Sequence, residues 1–377
     1  MKNGISKIAG IVCLSAMMLF AGLSLSRAAS IPPDAWAAYK GAFLDPGGRI
    51  IDTGNSNISH SEGQGYGMWL AVLADNLSDF ELIWSFTRTE LLVRDDGLSA
   101  WKWDPRTRPH VTDINNATDG DILIAYALAL AAGQWNRQDY AEASAAIGSV
   151  ILKKTVVQRG GRTLLLPAAS GFGEGDRADG PVVNPSYLIF EAFPVLNLVA
   201  PSPLWKAVAD DGVAQVGAFA FSDRKLPADW VSVKTKPQPA SGFPPEFGYN
   251  AVRIPLYLAR ANMGAPELLS RLKDGMTLES GAAGTFDLKS GAVKDVLSDA
   301  GYRIIPATQG PHCRRTRERQ AGHRRRGRAV AQPFFRADGC AGYRPAGSGS
   351  EGARQPYPAR ANPHQSPSKR AGSHGND

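Results

Sequence analysis

Three short stretches of this chain concentrate groups that can titrate or grip a sugar. The first is Ser59-His60-Ser61-Glu62-Gly63-Gln64-Gly65-Tyr66-Gly67-Met68. Ser59 followed three residues later by Glu62 reads as an ordinary capping box ahead of an apolar helix. Capping does not call for three glycines, which are poor helix formers. Glycine there fits a backbone that a substrate must approach closely. The second stretch, Asn115-Asn116-Ala117-Thr118-Asp119-Gly120-Asp121, opens a helix that is apolar almost all round. Thr118 or Asp119 can cap it, and Asp121 complements its dipole. With so little polar face behind them, however, the two acids are expected to project from the core into a cavity. The third is Phe247-Gly248-Tyr249-Asn250-Ala251-Val252-Arg253-Ile254-Pro255, where Arg253 lies among apolar neighbours. If buried it needs a carboxylate, either in a structural ion pair or in a cleft.

Aromatic residues accompany these clusters. Trp101 and Trp103 alternate with Ala100 and Lys102 just before the second, and Tyr187 follows Asn184-Pro185-Ser186. A single Trp is more often core than ligand. Clustered acids beside loop aromatics suit carbohydrate, because sugar C–H faces pack on rings while hydroxyls bond to Asp, Asn, Arg and Tyr.

These groups need a scaffold, and the chain supplies helices joined by Gly/Pro/Asn/Asp-rich loops. Apolar periodicity predicts helices over 66–77, 82–93, 119–132, 140–155, 184–198, 203–219 and 250–262, with a strand-like piece at 163–166. The third of these has no polar face and reads as buried, and the break at Gly133 ends it. Alternating buried and amphipathic helices suggest an inner ring covered by an outer one, with a solenoid as the other solution.

At 377 residues and 43% hydrophobic, the chain can bury a sizeable core. Three Cys exclude a disulfide-dense scaffold, and no Cys/His spacing suggests zinc or another metal. The formal charge of +7 hints at nucleic acid, but it is localised. Residues 311–377 hold 14 Lys and Arg against 4 Asp and Glu, which leaves 28 against 31 in residues 1–310. The body is mildly acidic, so no nucleic-acid partner is expected of it. Residues 1–29 have the charged, apolar, small-residue order of a signal peptide, which implies a secreted or periplasmic protein, with an uncleaved anchor as the other reading. Residues 307–377, rich in Arg, Pro and Gly, lose all apolar period. A disordered basic tail, an electrostatic patch and a shifted reading frame that replaces the final helices remain open there.

Ser61 to Met68, Ala117-Thr118-Asp119-Gly120-Asp121 and Asn184-Pro185-Ser186-Tyr187 together resemble the motifs of glycoside hydrolase family 8. Within it, the chain is most similar to the endoglucanases that accompany bacterial cellulose synthesis. The resemblance covers residues 30–306. It implies an all-α (α/α)6 barrel with short β pieces in the loops, inverting hydrolysis of β-1,4-glucan, no cofactor, and a place beside the cellulose-synthesis machinery. It also implies that Glu62 is the general acid and that Asp119 is the carboxylate holding the sugar at the cleavage point. Asp121, Tyr187, Tyr249, Asn250 and Arg253 become substrate contacts, and Trp101 or Trp103 a stacking platform.

Asn250 departs from the pattern, since many relatives carry Asp there as general base. Inversion needs a carboxylic acid on one side of the bond and a water-activating carboxylate on the other. An amide can orient water but has no useful basicity. The base must then be another acid, with Asp119, Asp121 and Glu246 as candidates, or turnover is slow. Glu62 carries its own tension: a helix N-terminus favours the carboxylate, whereas a general acid must hold its proton. The rival readings are a glucan-binding protein with little catalysis and a hydrolase of mixed-linkage glucan, xylan or chitosan.

Overall fold

The computed structural model describes residues 31–303. Residues 1–29, expected from the sequence to be a signal peptide, and the tail 307–377 lie outside the described residues.

Helix α1 (Pro33–Phe43) starts on a proline, whose missing N–H costs nothing in a first turn. It is tied by Trp36 Nε1 (2.8 Å) and Lys40 Nζ (3.0 Å) to Asp79 of α3 (Leu77–Phe86). Between them runs α2 (Ser61–Leu73), which begins five residues earlier than apolar periodicity predicts. The glycines at 63 and 65 mask its first turns in the sequence. The break before α3 falls at 74–76, where Asp75 takes a φ of 53° and the Asn76 side chain caps the Asp79 N–H.

Helix α4 (Thr118–Trp135) is buried without interruption from Thr118 to Leu128, as its lack of a polar face requires. It continues through Gly133 and stops at Asn136, in the left-handed region at φ 52°. It packs against α2 on one side and α5 (Gln138–Lys154) on the other, with α6 (Ala192–Val199) also against it. Helices α7 (Pro203–Ala218), α8 (Ile254–Arg260) and α9 (Pro266–Met276) complete the set among the described residues. The predicted helix 82–93 is met by α3, which ends at Phe86, and a π-helical stretch, Thr87–Leu91, and two other predicted helices are shorter than their periodicity suggests. In 184–198 the Asn184 side chain accepts from Ser186 N–H and closes a single 3-10 turn over Pro185–Tyr187, so α6 starts only at Ala192. In 250–262 a 3-10 turn, Ala251–Arg253, precedes α8.

The strands are short. Ser59–His60 (β1) pairs antiparallel with Lys102–Trp103 (β2), and Ser61 N–H continues the contact to the Trp101 carbonyl at 3.0 Å. This ladder brings the two tryptophans to the start of α2. Val156–Arg159 and Arg162–Leu165 form a hairpin about Gly160-Gly161, both with positive φ as a tight two-residue turn needs. Val231–Ser232 lies between Val182–Val183 and Gln238–Pro239, and Ala283–Asp287 between Glu246–Phe247 and Val293–Leu297.

Candidate active site

Glu62 and Asp119 stand in the first turns of α2 and α4, and close packing brings those turns together. A Cβ on Gly65 would come within 2.5 Å of the Leu123 Cβ, and one on Gly120 within 2.8 Å of the Glu62 backbone nitrogen. Gly65 and Gly120 thus serve helix crossing, which for Gly65 replaces the substrate approach that the sequence suggested. The N-cap of α2 is also not Ser59. His60 caps it, with Nδ1 accepting from Gly63 N–H at 3.0 Å and Nε2 held by Asp52 at 3.1 Å. Ser59 is turned away to the Ile50 carbonyl. Glu62 is therefore released from any capping duty.

Arg253 joins the parts. Its Nη1 contacts Glu62 Oε1, while Nη2 lies 3.9 Å from Asp119 Oδ2 and donates to Asn250 Oδ1 at 3.0 Å and Ser186 Oγ at 3.1 Å. The expected carboxylate partner of Arg253 is thus two carboxylates of the cleft. Asp119 is almost fully buried, and burial, reinforced by the nearby Asp121 charge, pushes its pKa up to about 7. In its protonated form it can both donate to and accept from a sugar hydroxyl.

Asp121 does something other than touch substrate. It is 1% exposed, with Oδ1 accepting from Ser99 N–H (2.8 Å) and Oγ–H (2.7 Å) and Oδ2 from Asn116 Nδ2 (2.9 Å). Asn116 in turn accepts from Ala169 N–H at 2.7 Å. Asp121 therefore anchors the loops that flank the cleft, and with its oxygens so occupied it also leaves the list of candidate bases. Glu246 is engaged by Lys294 of the Val293–Leu297 strand in the same three-stranded sheet. Trp103 is likewise engaged: His110 stacks on it with centroids 4.0 Å apart, Phe86 meets it edge-on, and the Arg49 guanidinium lies 5.1 Å from its centre. Trp101 is half-buried, its Nε1 held by Asp113 at 2.8 Å. Tyr187 is buried edge-on to Trp230, and Tyr249 is half-buried beside Asn250.

Two residues escaped sequence reading. Ser186 orients Arg253 while donating to Asn184 Oδ1 at 2.7 Å, so the motif around Tyr187 acts on the arginine through its serine. Asp229, 3% exposed, accepts from Gly248 N–H and Ala251 N–H, both at 2.8 Å, and from Asn250 Nδ2 at 3.3 Å. Burial pushes its pKa up to about 6 against these hydrogen bonds. Its only trace in the sequence is an acid between Ala228 and Trp230 in an otherwise apolar run. Among the described residues no group of three or more His, Cys, Asp or Glu side chains could hold a metal ion.

Acids, an arginine and aromatic rings gathered where the inner helices of an (α/α)6 barrel begin define a carbohydrate-cleaving class of protein. The chain belongs to glycosyl hydrolases family 8, whose model matches residues 10–291. It is 41% identical over 227 residues to an endoglucanase of Cellulomonas uda, a match spanning 60% of this chain and 62% of that protein. Among solved structures, an endo-β-1,4-glucanase of Acetobacter xylinum superposes with a TM-score of 0.69 at 35% identity, covering 75% of this chain and 88% of that one. An endoglucanase of Komagataeibacter sucrofermentans gives 0.68 at 38% identity, covering 73% and 87%.

Proposed function

We propose that this glycosyl hydrolase is an endoglucanase that cuts internal β-1,4 bonds of cellulose-like glucans with inversion, outside the cytoplasm and in support of cellulose production. The observation that carries the reading is the single guanidinium of Arg253 holding Glu62, Asp119 and Asn250 together. The endoglucanase names of the similar proteins support the substrate class.

In this reading the Arg253–Glu62 ion pair is the resting arrangement. A proton donor must be neutral and aimed at the glycosidic oxygen, so an entering glucan parts the pair and Glu62 delivers its proton there. Asp119, largely protonated at mildly acidic pH, holds a hydroxyl of the sugar undergoing cleavage. Water attacks from the opposite face, next to Asn250. NMR of the first product formed from a cello-oligosaccharide tests the reading: the α-anomer supports inversion, and the β-anomer overturns it. Falling viscosity of carboxymethylcellulose at low release of reducing ends marks the endo mode.

Asn250 keeps a second reading in view, a glucan-binding protein with little turnover. Retention on cellulose with no soluble product from the full chain would favour it.

A further inference from the structure

A water-activating side with an amide at position 250 lacks a proton acceptor, and the structure puts a carboxylate directly behind that amide. Asp229 Oδ1 is taken up by two backbone N–H groups, Gly248 and Ala251. Its Oδ2 lies 3.3 Å from Asn250 Nδ2 and 3.4 Å from Asn250 N. On its other side, Asn250 Oδ1 accepts from Arg253 Nη2 at 3.0 Å. The guanidinium, which can only donate, fixes the amide, and the ionised Asp229 carboxylate, which can only accept, agrees with it. Oδ1 therefore faces the guanidinium that also holds Glu62 and Asp119, and its second lone pair is suited to a water O–H. Asn250 is half-buried at the cleft, whereas Asp229 is nearly closed off from solvent.

We propose that Asp229 is the positioning residue of the water-activating side, holding Asn250 Oδ1 toward the nucleophilic water and receiving that water's proton across the Asn250 amide. The inference rests on the inverting reading above. The water O–H bond breaks as a proton reaches Asn250 Oδ1, and an Nδ2–H bond breaks as a proton reaches Asp229 Oδ2. The electron pair freed on the water oxygen forms the new bond to the anomeric carbon. The bond from that carbon to the glycosidic oxygen breaks, and that oxygen takes the Glu62 proton. Asn250 is left as its imidic acid. Asp229 returns a proton to Nδ2, Oδ1 releases one to solvent, and Glu62 regains one from solvent, so the protons balance over a turnover.

The surroundings suit this role. The Asn250–Asp229 pair carries one negative charge, the same as two carboxylates sharing a proton. Burial makes Asp229 a better proton acceptor than an exposed carboxylate, and the neighbouring charge of Glu246 works the same way. The other charges around the pair are Lys294, held by Glu246, and Arg253 with its two acids.

The test is an exchange of side chains in the full protein on a soluble cello-oligosaccharide, with kcat, KM and pH profiles measured. Asp229→Asn turns an N–H₂ toward the Asn250 N–H₂ and removes the acceptor. The expected loss in kcat is about 100-fold or more, with KM within a few-fold and the acid limb of the kcat/KM profile abolished. Asp229→Asn with Asn250→Asp places the carboxylate on the water and the amide behind it, where the backbone N–H groups still find an oxygen. The double variant is expected to recover kcat to within about tenfold of the parent. Failure of that rescue in a folded double variant, or an unmoved acid limb in Asp229→Asn, overturns the inference. If Asp229→Asn does not fold, Asn250→Ala in the parent decides: a kcat within a few-fold of the parent or an unmoved acid limb overturns the inference, and a loss of about 100-fold that abolishes the acid limb supports it. An α-anomeric first product with an unmoved acid limb refutes the role of Asp229 alone, whereas a β-anomeric product refutes the inverting reading beneath it.

Discussion

Gly120 and Ser61 meet where the first turns of α4 and α2 cross, so closely that a Cβ on Gly120 would lie 2.1 Å from the Ser61 hydroxyl oxygen. The separation between Glu62 and Asp119 is set by that contact. Gly120→Ala adds a methyl where the Ser61 side chain and the Glu62 backbone both stand, so the helices must move apart. Ala is the better helix former by about 1 kcal/mol, and overpacking outweighs this, leaving a net loss of about 1–2 kcal/mol. Displacing the acid is expected to lower kcat by about tenfold to 100-fold. Urea unfolding and hydrolysis rates check both; parent-like values for each would show that the crossing does not set the site.

Asp121→Asn separates an anchoring role from substrate binding. The new N–H₂ would face either the Ser99 donors or the Asn116 N–H₂, where the present carboxylate accepts from both. A loss of about 1–3 kcal/mol in unfolding free energy is expected, with KM for cello-oligosaccharides within about twofold of the parent. A large rise in KM at unchanged stability would return Asp121 to the cleft.

Stability is expected to fall as pH rises through the mildly acidic range. Burial raises Asp121 and Asp229 to about 6 and Asp119 to about 7, from an ordinary 3.8. Between these limits the folded chain binds more protons than the unfolded one, so the contribution of the three acids is complete below about pH 4 and is lost by about pH 7. Asp104, held down to about 2 mainly by Arg106, works in the opposite sense at lower pH, adding stability that is lost as pH falls through about 2. A series of thermal midpoints should decline from about pH 4.5 to 7, and less steeply in Asp121→Asn. A flat or rising series would contradict the burial of these acids.

Much of the site was legible because its residues lie in compact motifs at helix starts. Glu62, Asp119 and Arg253 stood out in their local stretches, their roles came from the family resemblance, and the structure joins them through one guanidinium. What stayed hidden depends on long-range contact. Asp229 is 21 residues from Asn250 and sits in no pattern of its own. Asp121 looked like Asp119 in the sequence, and only the positions of Ser99 and Asn116 separate their roles. The helices were legible where one face is apolar over several turns, as in α5 and α7. They were misjudged where glycine spacing hides a first turn, as in α2, or where an Asn-Pro turn replaces one, as at 184–187.

The proton donor is tested most directly by Glu62→Gln on two substrates, carboxymethylcellulose and 2,4-dinitrophenyl β-cellobioside. A dinitrophenolate leaves without help, whereas a sugar hydroxyl needs the proton. The substitution should lower the polymer rate by about 100-fold to 10,000-fold while the dinitrophenyl rate falls far less. Equal losses on both substrates, or no loss on the polymer, would contradict Glu62 as the general acid.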